Sequence, residues 1–355
     1  MKISSPIPLE HLVGELAGWI DIPSVTGNEE AYARAAADAL VEAGFQATQL
    51  EISPGRPNVL ARRGSGRLLF CTHLDTVPPF LPARRMADRL LGRGACDAKG
   101  AFACMLGAAR QLIAEGQEDL AFLLVVGEEV DHAGAKQAAA QARAFGLEVG
   151  AVLLGEPTEL KLMRAQKGIL KLRLSASGRA AHSGYPERGE SAIDKLLAAL
   201  ARLDALPLGS DPLLGPALMN IGVLRGGVAA NVVPPAAEAE VLFRTVATGN
   251  ELLDRVRQAV GSGIEIEVGC QNDPVELHLL PGFPTAVAGF GTDAPYLAAL
   301  GPVVLAGPGS ILDAHTGDEH ITFEQLAAGV ELYLDLGRRL LTGAAGVRAP
   351  ATALP

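Results

Sequence analysis

The sequence predicts an α/β fold in which a mixed, mostly parallel sheet is sandwiched by helices and a ferredoxin-like α+β domain is inserted. Three observations carry this expectation. Residues 68–72, 120–126 and 151–154 are short runs that are apolar but for Thr72, as strands covered on both faces are. Helical patterns stand between these runs, the alternation typical of parallel-rich sheets. From Gly168 the pattern switches to alternating strands and two helices in the order β-α-β-β-α-β, and beyond about Asp273 the first pattern returns. The expected organisation is therefore residues 1–167 and 276–343 as one domain, 168–275 as the insertion, and 344–355 as a disordered tail.

Taken in order, Thr26-Gly27-Asn28-Glu29 reads as a capping box opening a helix that ends at Gly44. Strands are expected near 58–61 and at 68–72, the latter stopped by Pro78 and Pro79. Phe102, Met105, Leu106, Ala109, Leu112 and Ile113 recur at helical spacing, closed by Gly116. The strands at 120–126 and 151–154 run into Gly127-Glu128-Glu129 and Gly155-Glu156-Pro157. In the insertion, Leu170, Leu172 and Leu174 alternate with Lys171 and Arg173, so this strand buries one side. A helix over 191–206, strands at 219–224 and 237–244, a helix over 250–260 and a strand at 263–268 complete the unit. A helix from Asp293, a strand at 303–305, a loop over 307–318 and a helix from Phe323 follow.

Composition narrows the function. The 355 residues are 49% hydrophobic and 20% charged, enough for an extensive core. The net charge of -10, with no basic run, argues against nucleic acid or an anionic membrane as partner. The first residues lack the apolar core of a signal peptide, and no window reaches the roughly 18 apolar residues of a membrane span. Cys71, Cys96, Cys104 and Cys270 show no paired spacing, so reduced thiols and a cytoplasmic location are expected.

The candidate chemistry gathers at strand ends, where ligands bind in such sheets. His73 and Asp75 are two apart and point the same way in an extended segment. Asp97 stands among small residues ahead of a helix, where Asp alone is usually a cap. Glu128-Glu129 is more telling, because adjacent carboxylates at a buried strand end repel unless a cation neutralises them. One would bind a metal while the other acts as general base on a metal-bound water. Glu156 repeats the arrangement at the next strand. A two-metal hydrolytic site needs two histidines and three carboxylates as ligands plus one free carboxylate, and the chain supplies that set. His315 and His320 compete for the last ligand position.

These motifs resemble the zinc-dependent deacylase and metallopeptidase family that includes acetylornithine deacetylase, succinyl-diaminopimelate desuccinylase and bacterial glutamate carboxypeptidases. The resemblance runs from His73 to Glu319 and keeps the order of the metal motifs. It implies two Zn2+, with Co2+ or Mn2+ able to substitute. By position, His73 and Glu156 would hold one ion, Glu129 and His315 the other, and Asp97 would bridge. Glu128 would be the general base and Asp75 would orient the His73 ring. The Gly-Pro-Gly, His, acidic-pair order selects His315 over His320. Gly127 departs from the family's usual Asp. His132 is a spare ligand at most, and His11 and His278 read as structural.

The resemblance also makes the insertion a lid and dimerisation domain. His182 would stabilise the oxyanion of the partner subunit's site in a homodimer. Asn231 and Arg244 would bind the intermediate and the substrate carboxylate. Gly155-Glu156-Pro157-Thr158, Arg164 to Gly168, Gly307-Pro308-Gly309 and Gly291-Thr292-Asp293-Ala294-Pro295 are most similar to the acetylornithine deacetylase group. The expected reaction is hydrolysis of an N-acyl amino acid, with acetylornithine, acetylcitrulline and acetyllysine as candidate substrates. A dipeptidase or carboxypeptidase using the same metals is the alternative. A non-catalytic homologue would have lost a ligand or the base, and all six positions are occupied.

Overall fold

A computed structural model describes residues 8–343, except for the side chain of Arg143. The tail expected at 344–355 lies outside the described residues. Two compact units are present: one runs through Arg164, returns over Leu277–Ala286 and resumes from Thr292, and the other comprises Ala165–Glu276 and Val287–Gly291. In chain order the first holds α1 (Leu9–Ile20), α2 (Glu30–Glu42), β1 (Gln46–Ser53), β2 (Arg56–Arg63), β3 (Leu68–His73), β4 (Arg89–Leu91), α3 (Lys99–Ala114), β5 (Leu120–Val125), α4 (Ala133–Ala140) and β6 (Ala151–Leu154). The second holds β7 (Gly168–Ser177), α5 (Ala192–Asp204), β8 (Leu218–Gly226), β9 (Ala236–Thr245), α6 (Gly249–Val260) and β10 (Ile264–Asn272). The chain re-enters the first unit with α7 (Ala294–Leu297), β11 (Val303–Leu305), β12 (His320–Thr322) and α8 (Phe323–Thr342).

The first unit is built on a six-stranded sheet in the order β1-β2-β5-β3-β6-β11. The β1-β2-β5 pairs are antiparallel, and β5, β3, β6 and β11 run parallel. Every residue of β3, β5 and β6 is buried, which is why these strands are apolar but for Thr72 and His73 at the end of β3. Leu68, Phe70, Leu120, Phe122, Leu124 and Leu153 join a core with Leu12 and Leu16 of α1, Phe102 of α3 and Tyr333 and Leu336 of α8. The alternate residues Leu69, Cys71, Ala121, Leu123, Val152 and Leu154 are equally buried, and α4 and α7 pack against β5 and β11. Phe122 anchors the core, stacked on Phe70 at 5.0 Å and edge-on to Phe102 at 6.1 Å. Because α3 is locked to the sheet this way, the loop at its amino end is fixed too.

One local expectation is overturned. Thr26 does not cap α2, whose N-cap residue is Glu29 with no side-chain capping bond. Its hydroxyl donates instead to Asp75 Oδ2 at 2.7 Å, and Glu29 accepts from Arg56 Nε at 3.2 Å. A buried carboxylate such as Asp75 needs donors more than a solvated helix end does.

The second unit has its own core. Its sheet order β8-β9-β7-β10 is antiparallel throughout and is the ferredoxin-like order. Leu170, Leu172 and Leu174 of β7 and Val241 and Phe243 of β9 pack with Leu196 and Leu200 of α5 and Val256 of α6. Ser191 caps α5, and Thr248 with Glu251 forms a capping box on α6.

Candidate metal centre

The carboxyl ends of β3, β5, β6 and β11 share one edge of the sheet, and each feeds a candidate residue. His73 closes β3, Glu128 and Glu129 follow β5, Glu156 follows β6, and the loop after β11 carries His315. Asp97 reaches this edge from the turn before α3, its peptide bond to Ala98 being cis. Its carboxylate lies between two imidazoles: Oδ1 is 3.0 Å from His73 Nε2 and Oδ2 is 3.2 Å from His315 Nε2. His315 Nε2 is also 3.1 Å from Glu129 Oε2. His315 adopts a left-handed backbone, φ 64°, a conformation uncommon outside glycine that clusters at functional sites. Ligand atoms of His73, Asp97 and Glu129 all lie within 4.8 Å of one another.

Asp75 organises the pair beside it. Its backbone carbonyl accepts from His73 Nδ1 at 2.9 Å, which orients the ring; its carboxylate is 3.6 Å away, ion-pair rather than hydrogen-bond distance. That carboxylate accepts the Glu128 and Glu129 N–H groups at 3.1 and 3.2 Å. Asp75 thus sets the turn that presents both glutamates. Gly127 has φ 79°, and an added Cβ would lie 2.2 Å from Asp131 Oδ1 and 2.4 Å from Arg56 Nη2. The Arg56–Asp131 ion pair fills the space a side chain at 127 would need.

The electrostatics are those of crowded acids. Burial pushes the Glu128 carboxyl well above its usual range; His73 opposes this, and the Asp293 and Glu129 charges add to it. Burial likewise raises Glu156, with His73 opposing and Glu128, Asp97 and Asp293 reinforcing. Burial also pushes Asp97 up, but hydrogen bonds from His315 and His73 outweigh it and hold this carboxyl low. The partners do not respond alike to His315. Glu129 stays raised because burial and the Asp97 charge exceed the help from His315. His315 itself is pushed up to about 10 by hydrogen bonds to Asp97 and Glu129. Burial is the leading cause for the three glutamates, and the crowded negative charge that reinforces it calls for a cation.

A metal fits this donor set. Two imidazoles, His73 and His315, and the Asp97 and Glu129 carboxylates converge within ligand reach, the mixture zinc and its neighbours accept. Glu156 is 3% exposed, yet its Oε1 has no hydrogen-bond partner. A buried carboxylate oxygen without a donor is costly, and a cation is the natural complement.

The remaining residues separate clearly. His182 and Asn231 lie together in the second unit: the loops pair at His182 and Val232, and Ser183 N–H donates to the Asn231 carbonyl at 3.0 Å. His182 Nδ1 accepts from Gly184 N–H at 3.0 Å, and both side chains are exposed. Arg244, in β9 opposite Ile169, lies beside Gly291. His320 turns to Arg89 at 3.2 Å, and His132 gives Nδ1 to Asp293 at 2.8 Å, so neither joins the cluster. Glu319, Arg93 and Asp293 were not singled out from the sequence. The signals available were the acidic pair after His315 and the Gly-Thr-Asp loop.

A parallel-rich sheet with this His, Asp and Glu set at its carboxyl edge has the layout of a metal-dependent hydrolase. The chain belongs to peptidase family M20/M25/M40, whose profile matches residues 69–339. It is 36% identical over 336 residues to a peptidase M20 domain-containing protein of Schizosaccharomyces pombe, covering 91% of this chain and 83% of the relative. It is 35% identical over 365 residues to a probable carboxypeptidase of Aspergillus clavatus, covering 89% and 80%. Among solved structures, the M20 family metallo-carboxypeptidase of Sulfolobus solfataricus shares the fold with a TM-score of 0.76 and 17% identity over 91% of this chain and 98% of that one. No helix among the described residues is long and apolar enough to cross a membrane.

Proposed function

We propose that the protein is a metal-dependent exopeptidase of the carboxypeptidase or dipeptidase kind, hydrolysing the amide bond that precedes a residue with a free α-carboxylate. The observation that carries this is the Asp97 carboxylate set between His73 and His315, with Glu129 within reach and Glu156 offering an unpartnered oxygen. The names of the fungal relatives support the peptidase reading over simple deacylation. His73 and Glu156 would hold one ion, Glu129 and His315 the other, and Asp97 would bridge. Two divalent ions, zinc first and cobalt or manganese as substitutes, would supply the positive charge to polarise the scissile carbonyl and acidify water.

Glu128 takes the proton from water at its carboxylate and returns it to the leaving amine. Burial pushes its carboxyl well above the usual range, so it holds a proton more readily than an exposed glutamate does. Asp75 keeps Glu128 in register through the N–H bond at 3.1 Å. Arg244 pairs its planar guanidinium with the substrate carboxylate, and Asn231 and His182 donate to the oxyanion, His182 from a partner subunit in a homodimer.

Hydrolysis of N-acetyl amino acids is the second reading, favoured by the Gly155-Glu156-Pro157-Thr158 and Gly291-Thr292-Asp293-Ala294-Pro295 loops. Both reactions release an amine from a carboxylate-bearing amide. Ninhydrin-detected amine release from a panel of dipeptides and N-acetyl amino acids (ornithine, citrulline, lysine, methionine) separates them. Each is run on metal-stripped protein before and after zinc is returned. Zinc-restored turnover of dipeptides is expected; turnover confined to one acetylated amino acid overturns the peptidase reading in favour of the second. Stoichiometric zinc binding with no turnover across the panel overturns both.

A further inference from the structure

We propose that Glu319 is the positioning residue for Asp97, fixing the bridging carboxylate without touching its side chain. The inference rests on the reading of Asp97 as a metal ligand. Glu319 is 1% exposed and lies four residues beyond His315. Its Oε1 accepts three backbone N–H groups of the Asp97 loop: Gly94 at 2.8 Å, Cys96 at 3.3 Å and Asp97 itself at 3.3 Å. Its Oε2 takes Arg93 Nη1 at 2.5 Å, and its own carbonyl accepts Gly92 N–H at 3.0 Å. Arg93 is anchored in turn through Nε to the Pro79 carbonyl at 3.2 Å.

Backbone N–H groups that converge on one carboxylate form an anion-binding concavity, here occupied by a side chain of the protein. Asp97 cannot shift its backbone without breaking a bond to that anion. The same residue ends the loop that carries His315, and immediately beyond it β12 pairs with β4, His320 with Leu91, Ile321 with Leu90 and Thr322 with Arg89. The loops of Asp97 and His315 are therefore zipped together up to Glu319. The 3.2 Å approach of Asp97 Oδ2 to His315 Nε2 is set by this junction. A buried ion pair such as Arg93–Glu319 is weak evidence for stability on its own; what it does here is hold one ligand loop to the other.

The test uses the full chain, stripped of metal, titrated with zinc against a chromophoric chelator. Glu319→Gln keeps the size and one acceptor but loses the charge, and it is expected to weaken zinc binding about 10–100-fold, the usual effect of groups that hold ligands in place. Leu16→Ala, in the core on α1, is expected to lower stability while leaving zinc affinity within about threefold of wild type. If Glu319→Gln binds zinc as wild type does, or if Leu16→Ala weakens binding equally, the inference is overturned. Asp97→Ala separates the two claims. Loss of binding there with Glu319→Gln intact overturns this inference alone, and unchanged binding overturns the ligand reading as well. Should Glu319→Gln not fold, amide exchange in the metal-stripped wild type decides: the Gly94, Cys96 and Asp97 amides are expected to be protected, and free exchange overturns the proposal.

Discussion

Replacing His315 by Ala tests how the acidic cluster is held when no metal is bound. Ligand atoms of Asp97 and Glu129 lie within 4.8 Å of one another, so two full charges there repel by about 3.5 kcal/mol at an effective dielectric of ~20. Protonated His315, 3.2 Å from one and 3.1 Å from the other, offsets that repulsion. Its pKa is pushed up to about 10 by hydrogen bonds to Asp97 and Glu129, against about 6.5 in an unfolded chain. A raised folded pKa means the stabilisation is complete below about pH 6.5 and is lost as pH rises through about 10. The His315 side chain is 48% exposed, so solvent screening reduces the full linkage figure to about 1–2 kcal/mol. Urea unfolding in excess chelator, at about pH 6 and about pH 9.5, measures it. His315→Ala is expected to lose about 1–2 kcal/mol at the lower pH and much less at the higher. Equal losses at both would refute the protonated-bridge reasoning.

Glu128→Gln should lower kcat by about 10²–10⁴ while leaving zinc stoichiometry unchanged, checked by turnover and metal analysis of one preparation. Glu156→Gln removes a buried charge that burial and the Glu128, Asp97 and Asp293 charges oppose; metal-stripped protein should gain stability by about 1–3 kcal/mol and lose zinc capacity, read by urea unfolding and metal analysis. Lys99 is 1% exposed, donates to the Trp19 and Ile22 carbonyls at 3.0 and 2.7 Å, and lies 4.4 Å over the Tyr32 ring. Burial pushes its pKa down to about 7, so the unfolded chain binds the extra proton and stability rises with pH from about 7 to about 10.4, by at most ~1.4 kcal/mol per unit. Lys99→Met should remove that slope, and an unchanged slope in urea midpoints would refute the assignment. Arg244→Lys should raise KM about 10-fold or more for carboxylate-bearing substrates by replacing a planar fork with a point charge; steady-state kinetics with an amidated dipeptide, indifferent to the change, is the control.

Much of the architecture could be read from residue order because buried parallel strands leave a strong mark. The apolar runs of β3, β5, β6 and β11 are strands, and His73, Asp97, Glu129 and His315 meet because those strands share an edge. Elements with divided environments were harder to read. In β1, Gln46–Ser53, polar residues mix with apolar ones because it is an edge strand paired only with β2. In α1 the apolar face of Leu12, Val13, Leu16 and Ile20 follows Pro8 without a side-chain cap. The Thr26 capping box was a sound local pattern defeated by Asp75, 49 residues away, which needed the hydroxyl. Glu319 was similarly opaque: a Glu in a loop shows its purpose only when Gly94, Cys96 and Asp97 are folded around it.

The separate hydrophobic core of the second unit has an evolutionary consequence. Leu170, Leu172, Val241 and Phe243 pack with α5 and α6 as a cluster distinct from the one beneath the six-stranded sheet. Every candidate metal ligand belongs to the other unit, so selection can tolerate drift in the core of β7 to β10 without altering that donor set. Descendants of such a gene can inherit one donor set unchanged while the inserted stretch, with the proposed substrate groups His182, Asn231 and Arg244, diverges.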